Sequence, residues 1–199
     1  MLSVAVVSQS RSLLNQNFTT ATNGYNVGVG FGAGQSVTTG VQNTLIGGLA
    51  GDAITTATDS TFVGYLAGSA TTDGNHNTGI GSNALAANTG GQNTAVGRDA
   101  LASQVDASFN TAVGRSAGTA LTTGNRNVAI GKDSLLTDTL GSRSVAVGLG
   151  SLQTQISLQP QKRITLVSVM RLVIQSPRES RIPSWVVLQV MLLRMRILM

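Results

Sequence analysis

Hydrophobic and polar positions recur along most of this chain in one short phrase. A polar Asn or Ser comes first, then Thr or Val, a variable residue, Val or Ile, and Gly. The phrase is Asn26-Val27-Gly28-Val29-Gly30 at its first clear occurrence and Asn43-Thr44-Leu45-Ile46-Gly47 at the next. It returns from Ser60, Asn77, Asn93, Asn110, Asn127 and Ser144, at spacings of 17, 17, 17, 16, 17, 17 and 17 residues. A small residue follows seven positions after each Asn or Ser (Ala33, Ala50, Ala67, Ala84, Ala100, Ala117, Ser134, Ser151), and then Gly or Leu. Each unit closes on a polar linker, such as Thr38-Thr39-Gly40 or Thr122-Thr123-Gly124.

This pattern predicts strands, not helices. β-Branched residues two apart lie on one face of a short strand, and the Gly behind them permits a bend or a close backbone approach. A Thr-Gly linker turns the chain back. The unit is too short for a βαβ crossover and has no helical period. One unit cannot bury its apolar face, but stacked units can. The expected fold is therefore all-β: a parallel β-solenoid of about eight 17-residue coils over residues 26–152. Residues 1–25 read as a degenerate first coil, in which Ser3-Val4-Ala5-Val6 echoes the phrase 23 residues before Asn26. Stacking would set Asn26, Asn43, Asn77, Asn93, Asn110 and Asn127 above one another as a structural ladder that satisfies backbone groups and tolerates unusual turn dihedrals. The Val/Ile column is expected to form the core.

Composition narrows the function classes. There is no cysteine, so no disulfide or thiolate metal site exists, and charged residues are only 11% of the chain. The net charge of +5 suggests nucleic acid until it is located. Residues 1–150 carry six basic groups and seven aspartates, a net of −1, while residues 151–199 carry seven basic groups and Glu179, a net of +6. No nucleic-acid partner is expected, and no cofactor or metal. The start of the chain has no basic segment before its apolar run, so no secretory signal is read there. No apolar stretch of transmembrane length occurs, so the repeat domain is not expected to insert in a membrane.

Asn93-Thr94-Ala95-Val96-Gly97 with Ala100-Leu101, and the matching residues of the other coils, resemble the head repeats of trimeric autotransporter adhesins and related repeats of bacteriophage tail fibres. The resemblance covers roughly residues 26–152. It implies a left-handed parallel β-roll, a homotrimer, no catalysis, a place at the cell surface or on a virion, and attachment to a host or cell-surface glycan or protein receptor. The chain lacks the coiled-coil stalk, membrane-anchor barrel and self-cleaving chaperone domain of complete members, and reads as a piece of such a protein. A second reading is a monomeric solenoid that binds ice or another repetitive surface through Thr ladders. It rests on the Thr pairs at 19–20, 38–39, 55–56, 71–72 and 122–123.

The tail, residues 153–199, is another kind of sequence and is expected to be irregular. All 24 glycines lie before residue 151, and all three prolines lie after it. It reads as out-of-frame translation of further repeats. Joining the third base of each codon to the first two of the next, Arg181 to Leu192 allows Asn-Thr-Phe-Val-Gly-Gly-Ala-Ala-Gly-Asp-Ala, close to Asn43–Ala53. The Gly across Trp185 and Val186 is forced. Residues 164–176 allow Asn-Thr-Gly-Ile-Gly-Tyr-Glu-Ala-Gly-Asp-Thr-Val, and the two hidden asparagines stand 17 codons apart. In that frame the apolar run Trp185–Met199 is an aggregation liability and not an anchor.

Other candidate chemistry weighs little against the repeat. Gly28-Val29-Gly30-Phe31-Gly32 has the look of a phosphate loop but lacks a βαβ unit and keeps the coil register. His76 has no ligand partners nearby in sequence. Asp52, Asp73, Asp99, Asp106, Asp133 and Asp138 do not recur as a regular calcium ladder, and no coil carries a catalytic carboxylate pair. Arg98, Arg115 and Lys132 share one coil position and form a basic stripe. Its plain reading is solubility and edge protection, and its sharper one is contact with an anionic glycan.

Overall fold

The computed structural model describes residues 4–6, 11–15, 24–153 and 162–168, the first and last of these by backbone alone. The chain divides into two units, residues 1–168 and 169–199, and the second lies outside the described residues. The first unit is a parallel β-solenoid. Its strands are β1 (Val4–Val6), β2 (Val27–Val29), β3 (Thr44–Ile46), β4 (Thr61–Val63), β5 (Thr78–Ile80), β6 (Thr94–Val96), β7 (Thr111–Val113), β8 (Val128–Ile130), β9 (Ser142–Val147) and β10 (Lys162–Ser168). They form one ten-stranded sheet in chain order, every pairing parallel. No helix occurs among the described residues.

Positions in a coil are counted below from the Asn or Ser of the phrase as position 0. Like stacks on like: Thr44 faces Thr61, Leu45 faces Phe62 and Ile46 faces Val63. The 16-residue coil keeps the register, with Thr78 opposite Thr94. β1 lies where the sequence echo falls, Val4 opposite Val27.

The structure corrects the placement of the core. Position 2 faces inward: Leu45, Phe62, Ala95 and Ala112 are fully buried. The Val/Ile of position 3 and the Thr/Val of position 1 share the other face and are half-buried or exposed. The interior of so short a coil has room for little beyond Ala and Gly at most levels, so the bulkier β-branched residues go outside. Leu45 and Phe62 are the exceptions, and around Phe62 its neighbours make the space. A Cβ on Gly79 would come 2.9 Å from its ring, and one on Gly68 would come 2.5 Å from it. Further core columns are position 7 (Ala33, Ala50, Ala67, Ala84, Ala100, Ala117), position 8 where it is Leu (Leu85, Leu101, Leu135) and position 11 (Val37, Ile54, Leu121).

Corners are made by left-handed backbone at four positions. The residue before position 0 has positive φ in every coil from Tyr25 to Arg143, including His76 at 61°. Positions 4, 6 and 8 do too, with position 4 always Gly at φ 120–137°. At that corner a Cβ on Gly30, Gly47, Gly64, Gly97 or Gly131 would sit 2.5–2.6 Å from the carbonyl oxygen of the glycine in the next coil. No side chain fits, which is why this glycine recurs without exception.

In the tail, the described part is β10, which pairs with β9. Thr165 faces Ser144, a separation of 21 residues, and the register shifts between Lys162 and Thr165. Residues 154–161 and 169–199 lie outside the described residues, so most of the expected irregular tail does too.

Candidate functional site

The ladder asparagines are brought into one buried column, as the repeat spacing required. Asn43, Asn77 and Asn93 are wholly buried, and Asn26, Asn110 and Asn127 nearly so. Each does two jobs. Its Oδ1 accepts from the N–H of the next ladder residue, as in Asn43 N to Asn26 Oδ1 at 2.9 Å and Asn127 N to Asn110 Oδ1 at 2.8 Å. Its Nδ2 donates to a carbonyl at the closing turn of its own coil: Asn26 to Gly40, Asn43 to Ala57, Asn93 to Ala107 and Asn110 to Gly124, each 2.8 Å. Ser60 continues the column, donating its own N–H to Asn43 Oδ1 at 3.0 Å. The expected link to unusual dihedrals is corrected: the left-handed residue is the one before each Asn, and the Asn side chain bridges the backbone groups around that corner.

The short coil carries a buried polar cluster that sequence reading missed. Asn77 Nδ2 donates to Gly90 O one position earlier than usual, at 2.8 Å, and also to Gly74 O at 3.0 Å. Asn88 donates to Gly90 O at 2.9 Å and accepts from Asn93 at 3.2 Å, while Gln104 Nε2 donates to Asn93 Oδ1 at 3.0 Å. Asn88 and Gln104 occupy position 11, where other coils place Val37, Ile54 and Leu121. Beside the one-residue deletion the side-chain amides of Asn77 and Asn88 thus converge on the Gly90 carbonyl. The only sequence signal was the spacing of 16 itself.

The outer strand face is the largest regular surface. Thr44, Thr61, Thr78, Thr94 and Thr111 stack in five successive strands at position 1, with Val27, Val128 and Val145 beyond them. Beside them runs the column Val29, Ile46, Val63, Ile80, Val96, Val113, Ile130 and Val147, in which Ile46, Ile80, Val113, Ile130 and Val147 are 37–40% exposed. Aromatics Tyr25, Phe31, Tyr65 and Phe109 are exposed at its margins, and the Arg126 guanidinium lies 5.2 Å from the Phe109 ring centre.

Arg98, Arg115 and Lys132 fall in one exposed column at position 5, as the register requires. Each meets a carboxylate at position 6: Arg98 to Asp99 at 2.9 Å, Arg115 to Asp133 at 3.9 Å and Lys132 to Asp133 at 3.4 Å. Exposed pairs of this kind contribute little to stability. Burial pushes the Asp52 carboxyl above its usual range, against two backbone hydrogen bonds that lower it. Its Oδ1 has no hydrogen-bond partner. His76 is exposed and its N–H donates to Thr58 O at 3.0 Å. Gly28 to Gly34 form a strand and corner of the standard coil. No group of three or more His, Cys, Asp or Glu suited to a metal occurs among the described residues.

The fold defines a class, the parallel β-solenoid of tandem coils. Comparison with protein-family models, curated proteins and solved structures finds no match to this chain.

Proposed function

We propose that the chain is the shaft of a non-catalytic attachment fibre or adhesin that acts as a homotrimer at a cell surface or on a virion. One observation carries this reading: the unbroken outer column of Val and Ile along eight strands, half-exposed in the single chain. With the Thr/Val column beside it, this is a continuous, β-branched strip, and contiguous exposed apolar surface of this kind marks interaction sites. Covering it with further copies of the same chain uses a surface that repeats in register, so each coil meets an equivalent coil and the contact grows with length. Rigid backbone ladders and buried amides suit the mechanical work of length and display. The resemblance to adhesin heads and tail fibres supplies the partner class, a glycan or protein receptor. The basic stripe is paired with Asp99 and Asp133 and serves solubility in this reading.

Sedimentation equilibrium tests it. The chain truncated after Gln153 is expected to have three times its monomer mass, and the double variant Ile80→Lys, Ile130→Lys to be monomeric with its far-ultraviolet spectrum retained. A monomer mass for the parent sinks the proposal.

One observation favours the second reading, a monomer that binds ice or another repetitive surface. Thr44, Thr61, Thr78, Thr94 and Thr111 line up in register on the strand face, and the linker threonines Thr38, Thr55 and Thr72 line up too, Thr38 Oγ1 donating to Thr55 O at 3.0 Å and Thr55 Oγ1 to Thr72 O at 3.2 Å. A monomer mass together with thermal hysteresis that Thr78→Lys abolishes would select it.

A further inference from the structure

We infer that the coding sequence changes frame between codons 153 and 164, and that its second frame encodes two more coils of the same solenoid. The structure supplies tests that the Asn-Thr phrase did not contain. A coil of this solenoid needs Gly at position 4, where a Cβ would meet the carbonyl of the neighbouring coil at 2.5–2.6 Å. It needs a small buried residue at position 7, a residue compatible with left-handed backbone at position 8, and an inward residue at position 2. Residues 151–199 contain no glycine, so in the frame translated they cannot form another such coil. Accordingly β10 lies on β9 at a separation of 21 residues with a register shift, and not at the 16 or 17 of every pair from β2 to β9.

In the second hidden coil, positions 1, 3, 4, 7 and 8 are restricted by the genetic code whatever synonymous codons are used. Counting the triplet across Arg181 and Ile182 as position 0, position 1 can be only Ser, Pro or Thr, and position 3 only Leu, Met or Val. Position 4, across Trp185 and Val186, can be only Gly. Position 7, across Leu188 and Gln189, can be only Ser, Pro, Thr or Ala, and position 8 only Ser or Gly. The coil before it is complete as well. One consistent set of codons from Ile164 to Arg181 reads all 17 positions. Its closing turn, from Ser176 to Arg181, can read Thr-Thr-Gly-Val-Gln-Asn, the same as Thr38–Asn43. Gly in that turn falls at position 14, the carbonyl that Asn26, Asn110 and Asn127 hold in the solenoid. The joining coil is longer than the others, 20 codons from Ser144 to Ile164 against 16 or 17. The restored strand would lie on β9 with Gly over Gly148, in place of β10.

Sequencing the gene and its transcript through codons 140–199 tests the inference. The expected result is Ser168, Leu172 and Arg178 codons ending in G and an Arg181 codon ending in A, which place Gly at positions 4, 8 and 14 and Asn at position 0 of the next coil. A Ser168 codon ending in any other base puts a side chain at the forbidden corner and overturns it. A chain expressed with the frame restored is expected to show at least about tenfold slower amide exchange in β9 than the present chain. Unchanged exchange there also overturns it.

Discussion

Replacing Gly97 with Ala probes the contact on which the stacking depends. Gly97 has φ of 130°, in a region that L residues rarely enter, and an added Cβ would lie 2.5 Å from Gly114 O and 2.6 Å from Gly114 C. Those atoms are backbone, so no rotamer change relieves the overlap, and the two coils must separate. The conformational strain is about 1–3 kcal/mol. The overlap adds about 1–3 kcal/mol, and the loss of freedom in the unfolded chain returns about 0.4–1 kcal/mol. The net cost is about 2–5 kcal/mol. Because a solenoid is held by nearest-neighbour contacts, the cost should appear as local opening between β6 and β7 before global unfolding. Native-state amide exchange reads it directly: the Thr94 and Gly114 amides, which donate across this junction to Asn110 O and Val96 O, should exchange about thirtyfold faster or more, at about 1.4 kcal/mol per tenfold. Gly48→Ala is the control, since Gly48 has ordinary backbone and its nearest contact is the Tyr65 ring at 3.5 Å. That variant should be neutral or more stable by up to about 1 kcal/mol. If Gly97→Ala costs no more than Gly48→Ala, the close-approach explanation of the recurring glycine is wrong.

Three further outcomes follow from the same geometry. Asn110→Ala removes the acceptor of Asn127 N–H and the donor to Gly124 O, both buried, and at about 1–3 kcal/mol for each orphaned group should cost roughly 2–5 kcal/mol in urea denaturation; a cost under about 1 kcal/mol would refute the ladder's role. Phe62→Ala should cost about 3–5 kcal/mol, and Gly79→Ala, destabilising alone through its 2.9 Å approach to that ring, should lose most of its penalty in the Phe62→Leu background; strict additivity would count against the pairing. The Asp52 carboxyl has its folded pKa raised above 3.8 by burial, so the folded state holds that proton more tightly than the unfolded state. Its contribution to stability is therefore largest below 3.8 and declines as pH rises through the folded value. Asp52→Asn should gain on the parent between pH 3 and pH 7 in denaturation midpoint, and a pH-independent difference would refute the assignment.

Much of this protein was legible in its residues because a solenoid writes its register into the chain. Identical coils must place identical groups in identical surroundings, so the spacing of Asn, Gly and Ala specified parallel strands, their order and the Asn column. Arg98, Arg115 and Lys132 were legible as a stripe for the same reason. The mirror question, which face of each strand is inside, was not. Alternation tells that Thr44 and Ile46 share a face and Leu45 takes the other, but not which face meets the core. The width of the coil decides that, and a narrow interior admits Ala95 and Ala112 while turning Val96 and Val113 outward. Nor could sequence reveal that Asn88 and Gln104 fold inward to mend the shorter coil, or that Asp99 and Asp133 close on the basic stripe. Some of these contacts, Asn88 with Asn93 and Arg115 with Asp133, join residues from different coils, and all of them depend on rotamers that the folded surroundings select. Periodicity along the chain is a one-dimensional property and survives in the sequence; inside, outside and partner are decided by volume and distance, which exist only once the coils are stacked.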